Sequence, residues 1–151
     1  MKIFQAVDLR SPTAEDEVAQ AATWASQLGG TVDLGFVDDY QYSAHRIRDR
    51  QIREHIVAQW GRVRQSHRAE LDRLLATLPV HVRGESRYLQ GRPSPTLLAL
   101  ESGYELLVVS TRGRRGMAHA FLGSVTERLV RESSIPILVL RRGEGDDSEA
   151  E

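Results

Sequence analysis

The chain has no cysteine, which excludes disulfides, thiolate metal sites and cysteine nucleophiles. Lysine is almost missing too: Lys2 is the only one, and the remaining basic side chains are arginines. Arginine suits planar contacts with phosphate and carboxylate, although codon bias produces the same composition. No apolar run is long enough to span a bilayer. The N-terminus leads straight into a strand pattern, so a cytoplasmic location is expected. The formal net charge of -1 gives no general attraction to nucleic acid. Familiar reaction motifs are absent as well. There is no GxxxxGK followed by Ser or Thr, no GxGxxG after the first strand, and no GxSxG. His45, His55 and His67 do not stand at the i,i+4 spacing of a helical metal pair. Neither an internal repeat nor a linker is visible. With 151 residues, 40% hydrophobic and 27% charged, the sequence reads as one globular domain able to bury a core.

Strand and helix patterns alternate along the chain. A short apolar strand, 3–7, ends at Asp8. Ser11-Pro12 reads as N-cap and first helical residue. Val18, Ala21, Ala22, Ala25 and Leu28 then recur at helical spacing until Gly29-Gly30 stops the helix. The second strand is 31–37. Beyond a polar connection, Ile52, Ile56, Trp60, Val63, His67, Leu71, Leu74 and Leu78 mark one face of a long helix that ends before Pro79. His67 lies in that stripe and reads as a half-buried packing residue. Arg46, Arg48, Arg50 and Arg53, interspersed with Asp49 and Glu54, read as a solvated face. The third strand, 80–89, is the least apolar and suits an edge. Ser94-Pro95 reads as N-cap and first residue of the next helix.

The most informative stretch is 105–140. Leu106-Leu107-Val108-Val109 is a buried strand pattern, and 135–140 is another, with Pro136 tolerable at an edge or a strand start. Between them no carboxylate occurs from Ser110 to Thr126, while Arg112, Arg114 and Arg115 bring fixed positive charge. Gly113 and Gly116 permit close backbone approach. Ser124-Val125-Thr126-Glu127 has the form of a capping box with Ser124 as N-cap. Val125, Leu129 and Val130 are the expected inward positions of its helix. A helix N-terminus beside a glycine-and-arginine loop suits an anion, although a solvated basic loop would show the same residues. The acidic end, 142–151, reads as a disordered tail.

Ser110-x2-Gly113, nine further residues and then Gly123-Ser124 resemble the signature G-x2-G-x9-G-[S/T] of the universal stress protein family. The spacing matches throughout, and the departure is Ser110 in place of the first glycine. A hydroxyl there can donate to a phosphate but accepts positive φ less readily than glycine. The resemblance extends over 2–141 and includes Val7-Asp8, similar to the family's V-D-x-S opening, and Gly91-x-Pro93, similar to a loop bordering the nucleotide pocket.

It implies an α/β fold: a doubly wound, five-stranded parallel sheet of order 3-2-1-4-5 with helices on both faces. It also implies an adenine nucleotide, ATP or AMP, with or without magnesium, and a homodimer through the last strand. Asp8 would hold the ribose, although an aspartate ending a strand is also an ordinary Asx-turn residue. Val37 matches the position whose backbone meets adenine. Ser110, Arg112, Gly113, Arg114, Gly116, Gly123, Ser124 and Val125 would surround ribose and phosphates. Three functions stay open: a nucleotide-binding regulatory module without efficient turnover, a slow ATP hydrolase, and a stress protein acting through protein partners alone. His119 is the sole candidate base in the loop, and it also reads as a plain surface residue.

Overall fold

The computed structural model describes residues 1–40, 44–111 and 123–141. Five strands form one sheet: β1 (Lys2–Ala6), β2 (Thr31–Asp38), β3 (Arg83–Gln90), β4 (Leu106–Ser110) and β5 (Ile137–Leu140). Their order is β3-β2-β1-β4-β5, and every pairing is parallel. The connecting helices are α1 (Ala14–Leu28), α2 (Arg50–Ala76), α3 (Pro93–Leu100) and α4 (Ser124–Glu132). This is the expected doubly wound sheet, with β3 and β5 at its edges.

Alternation along β1 divides the core into two layers, because successive side chains point to opposite sheet faces. Ile3 and Val7 join a cluster with Val18, Ala21 and Ala25 of α1 and Leu71 and Leu74 of α2. Phe4 joins the other cluster, with Leu97 of α3, Tyr104, Leu107 and Leu129 of α4. The alanine row on α1 is fully buried, as close helix–sheet packing requires. Gly29 ends α1 in the left-handed region at φ 68°, and Gly30 N–H returns to the Ala25 carbonyl at 2.8 Å. His67 packs edge-on against Phe36, with ring centroids 5.0 Å apart, in the packing role expected for it.

Several boundaries differ from the sequence reading, each for a local reason. Ser11-Pro12 does not open α1. Ser11 N–H closes a turn onto the Asp8 carbonyl at 3.0 Å, and Thr13 becomes the N-cap. Both Ser11 and Thr13 hydroxyls donate to buried Glu17, at 3.2 and 2.8 Å, which fixes the start two residues later, at Ala14. Conversely, α3 begins at Pro93 and not after Ser94, with Arg92 as N-cap. Gly91 makes this entry possible. Its φ is 148°, and a Cβ there would lie 2.4 Å from Thr96 Oγ1. Residues 80–82 form a 3-10 turn and not strand, held by Arg83, whose guanidinium donates to the Leu78 and Ala76 carbonyls. Val130 and Leu28 are exposed, not inward.

A carboxylate ties the far end of α3 to the entry of β5. Glu101 accepts from the Ser133 hydroxyl and from both N–H and hydroxyl of Ser134. The Ser133 bond, followed by the Ser134 bond, holds the Glu101 carboxyl below its ordinary range. A depressed carboxyl stabilises the fold above its unfolded pKa, and that contribution is lost as pH falls through the folded value. Glu101→Gln should therefore lower the urea midpoint at pH 7. Its deficit relative to the native chain should shrink toward pH 3, as paired denaturation curves would show.

Candidate functional site

The carboxyl ends of β1 and β4, the two strands at the reversal of strand order, open into a cavity of about 200 Å³. This is where open α/β sheets place ligands. Ala6, Val7, Asp8 and Arg10 form one wall, Phe36 and Val37 come from β2, and Pro93 and Leu97 come from α3. Val109 and Ser110 of β4 stand opposite, with Gly123, Ser124, Val125 and Thr126 from the start of α4.

Six expected contact residues, Asp8, Val37, Ser110, Gly123, Ser124 and Val125, thus line one cavity. The other four, Arg112, Gly113, Arg114 and Gly116, lie outside the described residues, as do Arg115, His119 and the acidic tail.

Asp8 makes the Asx turn and also lines the cavity. Its Oδ1 accepts Arg10 N–H at 3.0 Å. The Arg10 guanidinium stands 3.7 Å from the same oxygen. Asp8 is the sole carboxylate and Arg10 the sole cation among the described lining residues.

Ser110 ends β4 with its Oγ buried and without a hydrogen-bond partner among the described residues. A buried hydroxyl is normally satisfied, so an unpaired one beside a cavity marks a place for a ligand atom or water. No described residue other than glycine has positive φ. Serine therefore carries no left-handed strain at this position, and the departure from the glycine signature costs the backbone nothing.

The α4 entry corrects the capping-box reading. Gly123, at φ -61° and ψ 160°, is the N-cap, and Ser124 is the first helical residue with an exposed side chain. Among the described residues no side chain caps this end. Glu127 N–H bonds the Gly123 carbonyl at 2.9 Å, whereas the three preceding helical N–H groups have no intrahelical acceptor. They sit at the positive end of the helix dipole, beside the cavity.

Pro93 lines the cavity, and it belongs to the Gly91-x-Pro93 loop expected to border the pocket. Sequence reading missed Arg10, Phe36, Leu97 and Thr126. Phe36 adjoins Val37, so adjacency was a usable signal there. Leu97 and Thr126 carry none, since each looks like an ordinary apolar-face position of its helix. Among the described residues there is no cluster of metal-ligating side chains, and no helix is long and apolar enough to cross a membrane.

Comparison with known proteins gives the family and supports the fold. The model of the universal stress protein family matches residues 1–141. A universal stress protein of Bacillus subtilis is 37% identical over 62 residues, which cover 40% of this chain and 42% of that protein. The match thus spans less than half of that relative's length. Among solved structures, a universal stress protein from Archaeoglobus fulgidus in complex with dAMP superposes with a TM-score of 0.61 at 18% identity, covering 92% of this chain and 96% of that one. A universal stress protein in complex with cAMP gives 0.59 at 20% identity, covering 95% and 98%. At such identities these two structures speak for the fold, and the family model carries the assignment: the chain belongs to the universal stress protein family.

Proposed function

We propose that the chain is a regulatory module that binds one adenine nucleotide, ATP or AMP, between β1 and β4 without efficient turnover. The observation that carries this reading is a Ser110 hydroxyl without a partner, and an α4 N-terminus without a side-chain cap, among the described residues, across a cleft from Asp8. Asp8 takes ribose hydroxyls, and Ser110 with the α4 N–H groups takes phosphate oxygens. The Val37 backbone meets the base, while Ala6, Leu97 and Val109 supply apolar contact. Arg112, Gly113, Arg114 and Gly116 are assigned to the phosphates on the strength of the sequence signature alone.

A volume of about 200 Å³ is below the usual range of roughly 300–1,000 Å³ for ligand pockets. A nucleotide there therefore extends beyond this cavity. Solved relatives described as complexes with cAMP and dAMP support an adenylate ligand. If magnesium accompanies ATP, Asp8 is the carboxylate placed to share it with the phosphates. Edge strand β5, with its outer side unpaired among the described residues, is the surface for pairing with a second copy. A cytoplasmic location completes the proposal.

Calorimetric titration with ATP and AMP tests it. One site per chain is expected. Asp8→Ala should weaken binding roughly 10- to 100-fold, from about 1.5–3 kcal/mol for a hydrogen bond to a charged group. Gly113→Val should abolish binding while leaving the melting temperature unchanged. Unaltered binding in Gly113→Val would remove the signature loop from the site.

A further inference from the structure

We propose that the chain carries a second ligand site, on the outer half of α2, that takes a planar aromatic carboxylate. The proposal is independent of the nucleotide cleft and begins with a mismatch of lengths. The 27 residues of α2 span about 40 Å at 1.5 Å each, whereas the eight of β2 span about 26 Å at 3.3 Å each. The core takes the C-terminal half, where Leu71 and Leu74 are buried. Ile52 and Val63, expected to continue the apolar stripe, are 53% and 46% exposed, and Val57 beside them is 50% exposed.

Against this outer half, residues 40 and 44–45 enclose a concavity of about 730 Å³, a size that suits a small molecule. Its lining is mostly apolar or aromatic, with Tyr40, Ala44, Val57 and Trp60 contributing. Tyr40 and Trp60 are stacked, 6° from parallel with centroids 5.7 Å apart. Their polar groups are already engaged. Trp60 Nε1 donates to Asp38 Oδ2 at 3.0 Å, Tyr40 N–H donates to Asp38 Oδ1 at 2.9 Å, and the Tyr40 hydroxyl donates to the Ile56 carbonyl at 3.3 Å. Tyr88 also donates to Asp38, so three elements fix the pair. Arg64 lies over the Trp60 ring at 5.2 Å, whereas Tyr40 has no ring or cation neighbour other than Trp60 among the described contacts. A further ring can extend the stack from Tyr40.

Charge decides the rest of the ligand. Glu54 lines the same concavity but is paired with Arg50 at 3.0 Å. Arg53 lines it too, is half-buried, and has no carboxylate partner among the described residues. His45 adds a second nitrogen donor or acceptor. The uncompensated charge is thus positive and carried on a planar fork, which matches a carboxylate in two parallel hydrogen bonds.

The test uses the two tryptophans as reporters, Trp60 at the site and Trp24 on α1. Proton–nitrogen NMR of the full chain, titrated with 2-naphthoate, follows the two indole N–H signals, assigned with Trp24→Phe. A saturable shift of the Trp60 signal alone is expected, with the same midpoint in excess AMP. Arg53→Gln should weaken the midpoint about tenfold, and uncharged 2-naphthalenemethanol should bind the native chain about as weakly as naphthoate binds that variant. The proposal is overturned by no saturable shift at millimolar naphthoate, by displacement with AMP, or by equal binding of the charged and uncharged ligands.

Discussion

Gly35→Leu should not yield a folded protein at ordinary temperature. The position lies within β2, paired with Ala6 of β1, and the Phe4 ring occupies the space above it. A Cβ at Gly35 would sit 2.0 Å from Phe4 Cζ, with two further ring carbons at 2.7 and 2.9 Å. Phe4 is fully buried and anchors the cluster that includes Leu97, Leu107 and Leu129, so its ring has nowhere to retreat. Overpacking by one or two methylenes costs about 1–3 kcal/mol, and leucine adds a whole side chain. That is a large share of a domain stability of about 5–15 kcal/mol. A double-mutant cycle isolates the cause. Gly35→Ala should lose about 2 kcal/mol or more in the native background and much less in a Phe4→Leu background, as residues in contact are coupled. Equal losses in both backgrounds would locate the strain elsewhere.

Ser124→Glu should separate stability from binding. Its side chain is exposed and makes no capping bond, so the fold loses nothing when it is replaced. A carboxylate in the first helical turn favours the dipole by about 0.3–1 kcal/mol, and the melting temperature should hold or rise slightly. The same carboxylate would stand beside the cavity where the nucleotide phosphates are proposed. Two like charges about 4 Å apart repel by about 4 kcal/mol at an effective dielectric of about 20, about a thousandfold in affinity. Solvent screening of the exposed side chain still leaves a loss of about a hundredfold. Adenosine, without phosphate, should be affected far less. Calorimetry with AMP and adenosine, beside a thermal melt, reads all three quantities. An undiminished AMP affinity would move the phosphates away from α4.

The elements themselves were legible because each obeys a simple period. Short apolar runs marked β1 and β4, and the alanine row marked the buried face of α1. Helix entries were less so. Ser11-Pro12, Ser94-Pro95 and the Ser124 capping box all have the right composition, but neighbouring groups compete for the same role. Glu17 draws the Ser11 and Thr13 hydroxyls to itself, Gly91 and Pro93 start α3 early, and Gly123 takes the N-cap from Ser124. The stripe along α2 was read as continuous because periodicity does not register where the sheet ends. At the candidate site, Asp8, Ser110 and Gly123 were visible through motif spacing. Leu97 and Thr126 were not, since a cavity wall assembled from separate helices leaves no pattern in either one.

The central claim is that an adenine nucleotide occupies the cleft between β1 and β4. Denaturing the freshly purified protein and identifying the released small molecules by mass spectrometry, with calorimetric titration of the stripped and refolded chain, tests it most directly. The account predicts an adenine nucleotide approaching one per chain, or one calorimetric site for ATP or AMP where purification has removed it. An empty protein that also fails to bind either nucleotide, with and without magnesium, would contradict it.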